Sequence, residues 1–172
     1  WIVRDLSLDE LRRGAATAGS PELYKPWTIH SIKVGGATVG FIITDTRGVK
    51  FLLKFDRAGF PEIETANEII TSKLLWACGY NVAEDHVVYL RPEDLAIAPD
   101  AIVKDWSGVV GPLDRARLER SLAMIVHEPD GRIRAMASRM IDGKAIGGHA
   151  AEGVRADDPN DRIPHELRRD LR

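Results

Sequence analysis

The strongest constraint on the fold is a change of hydrophobic period in the middle of the chain. Residues 50–55, KFLLKF, alternate, so that Phe51, Leu53 and Phe55 share one side, as in a β-strand with one buried face. Residues 64–80, ETANEIITSKLLWACGY, instead repeat their apolar residues at helical spacing. The predicted apolar stripe consists of Ala66, Ile69, Ile70, Leu74 and Ala77. A strand followed closely by a helix is therefore predicted, with the apolar stripe of the helix packed against the sheet.

Similar patterns on both sides of this pair complete the predicted fold. Ser7 and Asp114 are the predicted N-caps of two further helices, 7–16 and 113–126, and Gly79 is predicted to end the central helix. We predict an α+β fold: an antiparallel sheet with one packed helix, a helical insertion at about 113–126 and a C-terminal helix. Strand patterns lie at 27–34, 39–45, 86–90, 101–104 and 131–141.

Three segments are expected along the chain. Residues 1–26 form a helix and linker, residues 27–141 form the main lobe, and residues 142–172 form a loop that leads into a second lobe. The chain begins at Trp1 and stops within a charged helical pattern. We therefore expect it to be a piece of a longer protein.

Composition excludes several classes of protein. Of the 172 residues, 44% are hydrophobic and 29% are charged, which is typical of a globular domain. A net charge of −2 gives no basic field for nucleic acid, and the longest apolar runs are too short to span a bilayer. The single cysteine, Cys78, lies in a helical pattern and is predicted to be a buried thiol. A single cysteine cannot form an internal disulfide, which favours a location in the reducing cytoplasm, although export remains an alternative.

A candidate site follows from the second face of the 50–55 strand. Lys50, Leu52 and Lys54 share that face. A preceding turn contains Gly35, Gly36 and Gly40, and such turns form anion-binding nests. Glu68, fourteen residues after Lys54 on the predicted helix, is placed to orient the ammonium, and Leu52 offers an apolar surface for a flat base. The competing interpretation is an exposed strand lysine and a helix-surface glutamate.

The order of glycine turn, strand lysine and helix glutamate is that of a kinase-like N-lobe. Residues 27–90 resemble the N-lobe of the HipA-like and CotH-like atypical kinases, in the phosphoinositide-kinase-like branch of the kinase superfamily, and the similarity is closest to uncharacterised bacterial members. The remainder of the chain resembles them only in outline. The matching residues are Lys54-Phe55, Asn67-Glu68, Leu74-Leu75, Gly79 and Val82-Ala83-Glu84.

The resemblance implies a role for each matching residue. Lys54 would contact the α- and β-phosphates of ATP, and Glu68 would orient it, with Glu64 as the rival partner one turn earlier. Backbone groups near Met140 and Ile141 would bind adenine. The turn that would cover the phosphates is Gly35, Gly36, Thr38 and Gly40.

The function implied is ATP-dependent phosphoryl or nucleotidyl transfer with Mg²⁺, to an acceptor that the sequence does not identify. Phosphoryl transfer needs an Asp and an Asn in the second lobe. The segment Arg168–Arg172, RRDLR, imitates a catalytic loop but has Arg where His belongs. We therefore expect the catalytic loop and the metal ligands outside this chain, and no turnover by the chain alone. The alternative is a non-catalytic, pseudokinase-like module that binds nucleotide or another protein.

Other chemistries have little support in the sequence. Asp157, Asp158 and Asp161 lack the spacing of a calcium loop and fit turn and capping roles better. The five histidines show no zinc-ligand spacing, and no G-x-S-x-G motif is present.

Overall fold

A computed structural model describes residues 4–33, 39–105, 107–143 and 150–168 of the chain. The chain divides into two compact units, Trp1–Ile141 and Asp142–Arg172. In the described part of the first unit the helices are α1 (Leu8–Arg13), α2 (Ile63–Ala77) and α3 (Arg115–Leu122). The strands are β1 (Trp27–Lys33), β2 (Gly40–Thr44), β3 (Lys50–Phe55), β4 (Asp85–Leu90), β5 (Leu95–Lys104), β6 (Val110–Pro112) and β7 (Ile133–Arg139). Short 3-10 turns lie at Pro21–Leu23, Pro92–Asp94 and His165–Leu167.

These strands form one sheet in the order β4-β7-β3-β2-β1-β5-β6. The part β1-β2-β3-β7-β4 is antiparallel throughout, and α2 joins β3 to β4. The predicted α+β fold, with a sheet and a packed helix, is confirmed. The sheet is mixed rather than wholly antiparallel, because the segment between β4 and β7 adds β5 parallel to β1 and then β6 antiparallel to β5.

The core lies on one face of the sheet. Phe51, Leu53 and Phe55 are buried, as their alternation predicts, and α3 packs Leu118 and Leu122 into the same cluster. The cluster also contains Trp27, Ile29, Ile32, Phe41, Ile43, Val88, Leu90 and Ile133. The helical insertion therefore packs on the apolar face of the sheet, and α2 packs on the opposite face, which carries Lys54.

Helix caps follow the sequence closely. Ser7 and Glu10 form a capping box at α1, and the Asp114 carboxylate accepts a hydrogen bond from the Arg117 amide at the start of α3. Gly79, with φ of 93°, follows the end of α2. These predictions are confirmed because a cap depends on residues only a few positions apart.

The predicted apolar stripe of α2 is wrong in part. Ala66, Ile69 and Ala77 are half-buried, but Ile70 and Leu74 are 58% and 61% exposed, and the buried residue of the helix is Thr65. Each helical residue turns by 100°, so Ile70 lies about 200° around the helix from Glu68. Because Thr65 and Glu68 face the sheet, Ile70 faces solvent.

Two further expectations from the sequence are not met. Cys78, predicted to be buried, is exposed because it lies at the end of α2 beyond the part that packs on the sheet. In place of the expected C-terminal helix, the described residues form the 3-10 turn His165–Leu167, after which Arg168 is extended. No helix within the described ranges is long and apolar enough to cross a membrane.

Candidate functional site

Lys54 and Glu68 form the centre of the candidate site. The ammonium of Lys54 on β3 lies 2.6 Å from Oε1 and 2.7 Å from Oε2 of Glu68 on α2. The two side chains are 38% and 40% exposed. An ion pair with this much water access contributes only about 0–1 kcal/mol to stability. Its main effect is therefore to fix the position of a solvent-accessible ammonium.

The rival partner, Glu64, is engaged elsewhere. Its Oε1 accepts a hydrogen bond from Nε of Arg57 at 3.0 Å. The glutamate one turn further along α2 is therefore the one that approaches Lys54, as the sequence order predicts.

Asp56 sets the position and rotation of α2. The N-cap residue Glu62 has a left-handed φ of 66° and makes no side-chain cap. Asp56, directly after β3, supplies one instead: its Oδ1 accepts from the amides of Glu64 (3.0 Å) and Thr65 (2.9 Å), and its Oδ2 accepts from the Thr65 hydroxyl (2.9 Å). Since Thr65 and Glu68 are three residues apart, they lie on the same side of the helix.

Arg134 on β7 closes this buried cluster. Its Nη1 donates to Oδ2 of Asp56 at 3.2 Å and also contacts the hydroxyl of Thr65. The side chains of Arg134 and Asp56 are largely buried. Asp56, Thr65 and Arg134 were not identified from the sequence. The local signal was an aspartate directly after a strand, and no known motif spacing connects it with the other two residues.

The sheet surface beside Lys54 is apolar and partly open. Gly40 on β2 lies opposite Lys54, and Ile42 lies opposite Leu52. Gly40, Ile42 and Leu52 are half-buried. Gly40 has no side chain, and Cδ1 of Leu52 lies 3.6 Å from the position that a Cβ atom would take there. The face therefore combines one oriented cation with neighbouring half-buried apolar residues.

The residues after β7 reach the other end of the same face. The Met140 amide donates to the carbonyl of Lys50 at 2.9 Å, which extends the pairing of β3 and β7 by one residue. The side chains of Met140 and Ile141 are exposed. The Met140 amide therefore forms a hydrogen bond within the sheet. Of the backbone groups near Met140 and Ile141 that were predicted to bind a base, the Met140 carbonyl and the Ile141 amide are the ones next to it.

Glu84 anchors the end of β7. Its carboxylate accepts hydrogen bonds from the amides of Ala18 (2.9 Å) and Thr17 (2.8 Å) and from Nη1 of Arg139 (2.6 Å). Burial by itself would raise the pKa of Glu84, but these donors outweigh it and lower the pKa to about 2. Through Glu84, Arg139, the residue directly before Met140, is therefore linked to the start of β4 and to the N-terminal segment at Thr17 and Ala18.

The structure brings together part of the predicted site. Lys54, Glu68, Leu52 and Gly40 meet on one face, and Met140 and Ile141 follow β7 at its far end. Gly35, Gly36 and Thr38 lie outside the described residues. No family model, curated protein or solved structure matches the chain. Any inference about function therefore rests on the fold and on this geometry.

The C-terminal unit contains a separate polar cluster. Asp161 accepts hydrogen bonds from the Arg155 amide (2.7 Å), from Nη1 of Arg168 (2.9 Å) and from Nε2 of His165 (2.6 Å). The other ring nitrogen of His165 lies 2.6 Å from the Ala150 carbonyl oxygen. Both ring nitrogens face acceptors, so the protonated imidazolium satisfies both. The Ala150 carbonyl and the Asp161 carboxylate raise the pKa of His165.

Asp157 and Asp161, considered above as metal ligands, are thus occupied within the protein: Asp157 pairs with Arg155 at 2.7 Å. In the part of the chain that the structure describes, no group of three His, Cys, Asp or Glu side chains is placed to hold a metal ion.

His165 predicts a pH dependence for this unit. Its raised pKa means that the stability it contributes is complete below the ordinary value of 6.5 and is lost as the pH rises through the higher folded value. We expect the amides of residues 150–168 to lose hydrogen-exchange protection above that pH. NMR titration of the His165 ring should give a pKa above 6.5 that falls in Asp161→Asn. A His165 pKa at or below 6.5 would contradict the assignment.

Proposed function

We propose that the first unit is the ATP-binding lobe of an atypical kinase-like phosphotransferase. The observation that carries this proposal is the Lys54–Glu68 pair, with Nζ 2.6 Å from Oε1, on a partly open apolar sheet face. A fixed point cation suits a phosphate oxygen, and the adjoining Leu52 and Ile42 suit the face of a base. In this role Lys54 donates to the phosphates and Glu68 keeps it oriented.

The dimensions of the face agree with a nucleotide. Lys50 and Lys54 are four residues apart on β3, which corresponds to about 13 Å. A nucleotide lying along the strand has its base near Met140, which is bonded to Lys50, and its phosphates at Lys54. In this arrangement the base forms hydrogen bonds with the Met140 carbonyl and the Ile141 amide.

Magnesium would accompany the phosphates in such a complex. The described residues fit the phosphate end of the nucleotide, but they offer no cluster of ligands for the metal. We infer that the metal ligands and the catalytic base lie outside these residues, and that this chain supplies binding and orientation.

Titration of the 172-residue chain with Mg-ATP tests the proposal. We expect the methyl signals of Leu52 and Ile42 to shift, with a dissociation constant of roughly 1 mM, about 4 kcal/mol of binding free energy. The weak affinity follows because half a cleft leaves the lysine–phosphate contact screened by water. Shifts confined to other parts of the chain would contradict this placement, and micromolar binding or hydrolysis would require a complete site.

A non-catalytic binding module is the second candidate. The observation that favours it is the exposed apolar side of α2, where Ile70 and Leu74 face solvent. Isolated exposed apolar residues are common, but two on adjacent turns of one helix form a small patch. If Mg-ATP leaves the Leu52 and Ile42 signals unchanged, this candidate takes precedence.

A further inference from the structure

The segment between β4 and β7 contains a recess that has no part in the face around Lys54. It lies between β5, β6 and α3 and has a volume of about 420 Å³. Ligand pockets for small organic molecules span about 300–1,000 Å³. Much of its lining is apolar and comes from Val103, Val109, Val110 and Met124.

Two arginines of α3 border this recess. Arg117 and Arg120 are three residues apart, so their side chains leave the helix on the same side. Nη1 of Arg117 donates to the Pro112 carbonyl at 2.8 Å. A Cβ atom at Gly111 would lie 2.6 Å from that nitrogen, so the Arg117 guanidinium packs directly against the backbone of β6 at this glycine.

Arg120 is available for a ligand. It is exposed, and no carboxylate in the described ranges pairs with it. The neighbouring Arg115, by contrast, pairs with Glu119 at 3.4 Å. A guanidinium beside an apolar wall is suited to a carboxylate, which it binds through two parallel hydrogen bonds.

Asp105 limits the charge of the ligand. Its Oδ1 accepts hydrogen bonds from the amides of Ser107 and Val109, each at 2.9 Å, which places a carboxylate at the border of the recess. Two arginines and one aspartate give the lining a net charge of +1 (2 − 1). This charge matches a monoanion better than a phosphate monoester.

We propose that this recess binds a small organic monocarboxylate with an apolar body, such as a short aliphatic acid. The carboxylate contacts Arg120 and Arg117, and the aliphatic chain lies against Val109, Val110 and Met124. The inference is independent of the proposed nucleotide site, because none of these residues belongs to the Lys54 face.

Methyl-detected NMR titration of the whole chain with hexanoate, octanoate, 1-hexanol and hexyl phosphate tests the proposal. We expect the two carboxylates to shift Val109, Val110 and Met124, with affinity rising about three- to fourfold per added methylene. Hexanol should bind at least tenfold more weakly than hexanoate, because it lacks the charge that the arginines recognise. Equal affinity for the alcohol and the acid, or tighter binding of the phosphate, would overturn the proposal.

A pair of variants on α3 distinguishes binding in the recess from nonspecific attraction to the positive charge of the helix. Arg120→Gln should weaken hexanoate binding at least tenfold, whereas Arg115→Gln, on the same helix but outside the recess, should leave it unchanged. Both positions are exposed, so the fold should survive, and thermal unfolding checks this. Equal losses in the two variants, or none in Arg120→Gln, would show that the recess does not bind the acid.

Discussion

Lys54→Met is expected to reduce ATP-dependent phosphoryl transfer by at least about 100-fold in a protein that contains these residues together with a catalytic lobe. Removing one preorganised donor from a reacting charge typically costs 10²–10³ in rate. The free energy of unfolding should change by less than about 1 kcal/mol, because methionine keeps most of the aliphatic stem and the ion pair is water-accessible. Labelling with radioactive ATP and chemical denaturation measure the two quantities.

Lys50→Met is the matched control. Lys50 lies on the same face of the same strand, four residues from Lys54, and is exposed. We expect Lys50→Met to retain stability and to lose much less activity than Lys54→Met, because Lys50 lies at the proposed base end of the face, where the nucleotide carries no charge. Glu68→Gln should give an intermediate loss of activity, since the lysine remains but loses its charged partner. Full activity in Lys54→Met, or an equal loss in Lys50→Met, would remove the lysine from the proposed mechanism.

Asp56→Ala is expected to destabilise the first unit by about 3–5 kcal/mol, the usual cost of removing one partner of a buried ion pair. The change leaves Arg134 without its carboxylate and removes the acceptor for the Glu64 and Thr65 amides. It also frees α2 to rotate, so the Lys54–Glu68 contact should weaken. Guanidinium denaturation measures the stability.

Asp130→Ala is the control for this change. Asp130 also accepts a backbone amide and an arginine, Arg132, but its side chain is 49% exposed. The Asp130→Ala change should therefore lower the free energy of unfolding much less than Asp56→Ala does. If the two variants lose similar stability, the buried Asp56 cluster does not hold α2.

The sequence predicted those features that depend on neighbouring residues. The core side of β3 follows from alternation at Phe51, Leu53 and Phe55, and the cap at Asp114 follows from a contact with Arg117, three positions away. The Lys54–Glu68 contact was also expected, because strand and helix are adjacent in the chain.

The rotation of α2 was beyond sequence reasoning because a distant residue contributes to it. Arg134 reaches Asp56 across 78 positions. Hydrophobic periodicity predicts that Ile70 and Leu74 lie in the core, because it considers only apolar residues. It takes no account of the polar contacts of Asp56 that set the rotation of the helix. The parallel addition of β5 to β1 has the same origin: local patterns predict a strand, but not the edge to which it pairs.

The position of β7 in the sheet has a consequence for how the protein is made. β7 lies between β3 and β4 but is the last strand of the first unit in chain order. A ribosome that has released only β1 to β4 has exposed the three-stranded piece β1-β2-β3 and an unpaired β4, because the strand that joins them has not yet emerged. Long-range pairing of this kind is slow and leaves apolar edges open. The nascent chain is therefore most vulnerable to aggregation during the interval in which β5, β6 and α3 are being synthesised.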